Sequence, residues 1–137
     1  MSRRYVFCAT LLLAACSHNT PDQQLIEAAD PAASWVATLQ LAGENWLANS
    51  APTSFVRATI GSALKAFDKT GKTIAQSQAR RELREEIRRP LEVAQAAAGD
   101  LDHAIEKGDR RAAAEAVRRF AEASAALRHV QRQKAGE

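Results

Sequence analysis

Ser62 and Lys65 stand three residues apart, a spacing that lets a lysine amine take the proton of a serine hydroxyl on one face of a helix. Lys69-Thr70-Gly71 follows closely, and Gly71-Lys72-Thr73 has the ending of a phosphate-cradling loop. His18, His103 and His129 could ligate a metal if they converged. Glu44 and Asp68 could act as carboxylates inside a bundle of helices. Cys8 and Cys16 are the two thiols of the chain.

Spacing removes most of this chemistry. Penicillin-binding enzymes set Ser-x-x-Lys on a helix and Lys-Thr-Gly on a strand far away in sequence. Here both triplets share one helical region. The first glycine of a phosphate loop would fall at Ala66, and no strand pattern precedes it. In a helical hairpin folded at Gly108, His103 faces residue 113 or 114 and His129 lies opposite residues near 88, an axial gap of ~22 Å at helical rise. Glu-x-x-His, the repeated ligand pair of di-iron bundles, is missing. So is the haem-attachment motif Cys-x-x-Cys-His. The expectation is no catalytic residue, no metal site and no cofactor.

Cys16 has a different chemistry in view. Arg3 and Arg4 make a positive start, Tyr5 through Leu13 make an apolar run, and Ala14 and Ala15 are the small residues a peptidase needs before its cut. The run is far short of the ~20 residues that span a bilayer as a helix. Leu13, Ala14, Ala15 and Cys16 resemble the Leu–small–small–Cys motif of bacterial lipoprotein signal peptides, a likeness confined to residues 1–17. The resemblance implies cleavage before Cys16, a diacylglyceryl thioether on its sulfur, and a fatty acid such as palmitate on its new amino group. Each buried methylene holds with ~0.8 kcal/mol, so one chain binds weakly and two or three bind firmly. Ser17, where Asp would favour the inner membrane of a Gram-negative cell, is similar to the outer-membrane set. The resemblance therefore implies a lipid-anchored envelope protein which, in a Gram-negative cell, sits in the outer membrane and faces the periplasm.

Removal of residues 1–15 changes the balance of the chain. The full sequence has 19 basic and 16 acidic residues; without Arg3 and Arg4 it has 17 against 16. Charge then gives no support to a nucleic-acid partner. Cys8 leaves and Cys16 is acylated, so the fold must hold without a disulfide. From Cys16 onward the chain has 22 Leu, Ile, Val and Phe residues against 27 Ala. Alanine is the best helix former and lets helix axes come close. The core is thin, which leaves room for a partner surface or self-association.

These features predict an all-α fold: a small antiparallel helical bundle of three to four helices, behind a signal peptide (1–15) and a flexible tether (16–29), with the bundle over 30–137. Asp30 and Pro31 start the first firm helix, over about 31–48, with Trp35, Leu39, Ala42 and Trp46 on one face. Asn49, Ser50 and Pro52 make a tight turn. Phe55, Thr59 or Ile60, Ala63, Leu64 and Phe67 form the stripe of the second helix, giving an antiparallel pair with each helix ~26 Å long. Gly71 could end that helix, and Thr73 with Gln76 could cap the next. A break somewhere in 68–80 and one long helix over 53–106 both remain open. Leu83, Ile87, Leu91, Ala94, Ala98, Leu101 and Ile105 form the cleanest stripe, with a kink expected near Pro90. Gly108 ends it, Asp109 caps the last helix, and that helix runs about 110–133 with Ala113, Val117, Phe120, Leu127 and Val130 near one face.

Two features could form an interaction surface. Trp35 and Trp46 lie three turns apart on one face, as core residues or as an aromatic stripe for a partner or membrane. Arg80, Arg81, Arg84 and Arg88 run beside Glu82, Glu85 and Glu86, as a solvated face of mixed pairs or a docking surface for anionic groups. The sequence thus points to a lipid-anchored envelope protein whose helical domain is a binding or structural module. The alternatives are a periplasmic ligand carrier or enzyme built on the bundle, and an envelope subunit that self-associates through its alanine faces.

Overall fold

The computed structural model describes residues 19–136. Four helices account for nearly all of them: α1 (Pro21–Leu47), α2 (Thr53–Gln76), α3 (Arg81–Lys107) and α4 (Arg110–Ala135). Short connections make neighbours antiparallel. α1 packs on α2 and α4, α3 packs on α4 and α2, and α1 also meets α3 across the centre. The fold is the expected all-α bundle, with four helices.

α1 starts ten residues before the expected Asp30–Pro31 cap. Thr20 accepts a hydrogen bond from the Gln23 backbone N–H (3.2 Å), and Gln23 Oε1 accepts one from the Thr20 N–H (3.3 Å). That is a full capping box, with Pro21 at the first helical position. Leu25 and Ala29 are buried with Ala32, Val36 and Leu39, so the core stripe begins inside the stretch expected as tether. Pro31 lies within the helix with its ring exposed. The hydrogen bond it removes is tolerated because the buried side chains on both sides hold one continuous helix against its neighbours. The Thr20-Pro21-Asp22-Gln23 signature was present in the sequence; the second cap-like pair, Asp30-Pro31, drew the boundary away from it.

α2 and α3 are separate, divided at residues 77–80. Gly71 does not end α2. The stripe Phe67, Thr70 and Ile74 stays buried past it, and Thr73 Oγ donates to the Lys69 carbonyl within the helix instead of capping a new one. The expected face of α2 is buried at Thr59, Ile60, Ala63 and Phe67 but not at Phe55 and Leu64. Val56, Ile60, Ala63 and Phe67 are buried, whereas Phe55 is 57% exposed and Leu64 36%. The seven-residue stripe expected on α3 is buried throughout, and α3 continues through a buried Pro90. Gly108 takes φ +66° and turns the chain, with Asp109 N–H donating to the Ala104 carbonyl (2.8 Å). Asp109 Oδ1 then accepts from Ala112 N–H (3.0 Å) and caps α4.

Phe67 and Phe120 are the largest fully buried side chains, with Leu25, Leu39, Ile87 and Leu101. Alanines fill the rest of the core, Ala94, Ala97, Ala98, Ala113 and Ala116 among them. Gly43 marks the closest approach. A Cβ there would sit 2.5 Å from Val117 Cγ2 and 3.6 Å from a Leu101 methyl. The absent side chain lets α1 lie against α3 and α4 together.

Candidate functional site

The residues expected to carry the anchor, Leu13, Ala14, Ala15, Cys16 and Ser17, lie outside the described residues, as does His18. The bundle begins close behind them. With α1 starting at Pro21, four residues separate Cys16 from the first helical turn, where the expected tether ran to residue 29. Among the described residues no helix is long and apolar enough to cross a membrane.

The two tryptophans do not form an open aromatic stripe. Trp35 is half-buried against the core on α1. Trp46 is half-buried too, and its indole N–H donates to Thr53 Oγ (3.2 Å) across the α1–α2 turn. The Arg110 guanidinium lies 5.6 Å from the Trp46 ring centroid. Arg110 also donates to the Leu47 carbonyl and to Asn49 Oδ1 (3.4 Å). The ring therefore helps close one end of the bundle.

The arginine run is likewise tied into the surface. Asp22 accepts from the Arg80 backbone N–H (2.9 Å) and from Arg80 Nε (2.5 Å). These bonds hold the Asp22 carboxyl below the usual carboxylate range, the backbone N–H contributing most. Arg88 sits between Glu85 and Glu92, and its side-chain bond depresses the Glu85 carboxyl. Arg84 is half-buried, and its Nε is closed to solvent without a hydrogen-bond partner. Arg81 is exposed beside Glu85. The structure thus sets acids among these arginines and leaves no uninterrupted cationic face there.

The residues with catalytic spacing are scattered over the outside. Ser62 and Lys65 are exposed on α2. Gly71-Lys72-Thr73 lies within that helix, with Lys72 paired to Asp68 (2.9 Å). Glu44, which the alternative of a site within the bundle would need inside, is exposed and accepts from Gln40. Asp68 is on the surface as well. Periodicity put both on helices correctly, but neither belongs to the buried face. His103 and His129 are both exposed, and His129 contacts Gln133 (3.0 Å). Among the described residues no three of His, Cys, Asp and Glu gather where they could hold a metal ion.

One surface feature had no counterpart in the sequence reading. A groove of about 640 Å³ runs along the α1–α4 seam. Ile26, Ala33, Ser34 and Ala37 line it from α1, and Ser124 and Arg128 from α4. Asp30 spans it by accepting from Gln131 (2.6 Å). Small residues on both helices create it, because short side chains leave the seam unfilled. The signal was the Ala-Ala-Ser and Ala-Ser-Ala-Ala clusters at 32–34 and 123–126, whose facing each other required the helix register.

Neither a family model nor a curated protein nor a solved structure matches the chain.

Proposed function

We propose that the chain is a lipid-anchored protein of the bacterial cell envelope, whose four-helix bundle works as a binding or structural module. The observation that carries this reading is the Leu13-Ala14-Ala15-Cys16 motif directly behind two arginines and an apolar run. With α1 starting at Pro21, an acylated Cys16 would hold the near end of the bundle close to the bilayer. At that end stand the start of α1, the 77–80 loop and the end of α4, because each antiparallel connection reverses the chain. A binding role is supported by the scatter of the polar groups: catalysis needs acid, base or nucleophile within hydrogen-bond reach of one another.

Mass spectrometry of the chain purified from membranes tests the anchor. The expected N-terminal peptide begins at Cys16 and carries the mass of the diacylglyceryl group and an amide-linked fatty acid. An unmodified thiol at Cys16 or an intact leader overturns the reading.

A further inference from the structure

We infer that the outer face of α2 is a docking surface for an anionic lipid bilayer. Phe55, Ala58, Ser62, Lys65, Lys69 and Lys72 follow one another at spacings of three and four, and all of them are exposed. They form one stripe, on the side of α2 away from its buried Val56, Ile60, Ala63 and Phe67. Phe55, 57% exposed, stands at its head, and the lysines fill its last ~10 Å. Small residues between them leave the backbone of α2 open to close approach. A Cβ added at Gly61, beside Ser62, meets nothing within 4 Å.

The charge of this face is positive and partly unspent. Lys65 and Lys69 have no ion pair among the described residues. Lys72 pairs with Asp68 (2.9 Å), the one acid of α2, yet its side chain stays 72% exposed. Arg57 pairs with Asp102 of α3 (2.9 Å), with Glu106 acting on it from farther off. On the flank towards α3, Glu85 and Glu92 hold Arg88. On the flank towards α1, Gln24 and Thr73 line one hollow between the helices. Helical spacing continues that edge of α1 through Ala28, Pro31, Trp35 and Thr38, none of them charged. The acids of α1 lie elsewhere. Asp22 is held by Arg80, Glu27 and Asp30 line the seam with α4, and Glu44 follows Ala37 of that seam by two turns.

Lysines spread along a convex helix do not converge on a small anion, which needs donors gathered in a concavity. They suit a plane of phosphates, each ammonium reaching out on its flexible stem. Such a plane also gives Phe55 a role: the lysines meet phosphates while the ring enters the apolar margin beneath the headgroups. An acidic protein surface would satisfy the lysines alone, so the ring is what favours a bilayer. The lysines stand in the half of α2 nearer the start of α1, the end that an acylated Cys16 would tether. The inference rests on the proposed envelope role only for a bilayer being within reach.

Flotation of the full chain carrying Cys16→Ser tests the face apart from any acyl anchor. The vesicles are phosphatidylcholine alone or phosphatidylcholine mixed with phosphatidylglycerol. Residues 1–15 are the same in every sample, so their contribution cancels between variants. The chain is expected to prefer the anionic vesicles and to lose that preference in high salt. Lys65→Glu with Lys69→Glu is expected to lower partitioning onto them at least about tenfold. Arg128→Glu with Arg132→Glu, an equal change of net charge on α4, is expected to leave it within about twofold. Phe55→Ser is expected to lower it about threefold or more. Helical circular dichroism is recorded for each variant, and Lys65→Gln with Lys69→Gln replaces a reversal that unfolds the chain, with a smaller loss expected. No preference for anionic vesicles, no loss from either lysine pair, or an equal loss from the α2 and α4 pairs overturns the inference. So does an unchanged Phe55→Ser beside a weakened lysine pair, the behaviour of a face that reads charge alone, as on an acidic protein. Mass spectrometry of the native chain reads the anchor separately, so either proposal can fail without the other.

Discussion

The two ends of the bundle are closed by opposite charges borrowed across the fold. At the end where α1 starts, Asp22 in its first turn takes the backbone N–H of Arg80 and so caps α3. At the far end, Arg110 in the first turn of α4 donates to the last carbonyl of α1 and covers Trp46. An anion meets a helix N-terminus in one case, and a cation meets a helix C-terminus in the other, as the helix dipole favours. α3 has no side-chain cap of its own, whereas α1 also has a local one, with Asn49 at φ 57° and the Ser50 N–H donating to the Asn45 carbonyl (2.7 Å). Arg80 makes no side-chain cap, and α1 carries no basic residue in its last turn. The comparison teaches that these helix ends are stabilised by tertiary contacts. They form only once the bundle does, which ties the ends to global folding.

The largest expected effect lies between the ends, at the waist. Gly43→Ala pushes a Cβ into Val117, whose branched side chain cannot swing aside easily. Overpacking of this kind costs about 1–3 kcal/mol, which exceeds the ~1 kcal/mol of helix propensity that alanine adds. Gly61→Ala meets nothing within 4 Å and should stabilise by about 0.5–1 kcal/mol. Urea midpoints of the two variants should move in opposite directions; a shared direction would place the tight contact elsewhere.

Asp22→Ala comes next, at about 1 kcal/mol for the lost cap. Hydrogen exchange should rise first in the opening turn of α3, 58 residues away in sequence, and uniform exchange would argue against a cap in trans. Arg110→Ala is smaller, about 0.5–1 kcal/mol from the lost cation–ring contact and carbonyl bond. Its intrinsic tryptophan fluorescence should shift, as Trp46 loses its cover. The double variant Asp22→Ala with Arg110→Ala should add within ~0.5 kcal/mol, because the ends share no partner. Strong coupling would show that the ends are not independent.

Acidification supplies the gentlest test. Asp22, Glu85 and Glu115 have carboxyls lowered mainly by hydrogen bonds to Arg80, Arg88 and Arg118. A carboxyl lowered in the folded state contributes stability that is complete above its unfolded value and lost as pH falls through the folded one. The thermal midpoint should therefore hold through neutrality and fall below about pH 4. In Asp22→Asn the fall should be shallower, and an unchanged profile would assign it to other carboxyls.

Local regularity explains which parts of the molecule were legible. The stripe of α3 repeats apolar residues at helical spacing, and all seven residues of it are buried, with Pro90, Ala97 and Ala104 buried beside them. Gly108 and Asp109 end one helix and start the next with residues suited to those positions, so that turn was readable too. The start of α1 was legible in principle through Thr20 and Gln23, but a second cap-like pair competed ten residues on. On α2 most of the stripe was legible, but that Val56 lies inside and Phe55 outside was not. Neighbouring apolar residues suit two adjacent faces equally, and the choice falls to the helix they pack against. The paired arginines of α3 were placed correctly, but Asp22 as a partner of Arg80 needed the fold.

Composition, periodicity and capping residues suffice for the all-α class and for the number of helices within one, since both are encoded within a few turns of chain. Which faces meet, where Gly43 lets three helices close up, which residues cap a distant helix and where small side chains leave a groove are settled only when α1 lies against α4. They depend on register between segments as much as a hundred residues apart, and no local pattern carries that information.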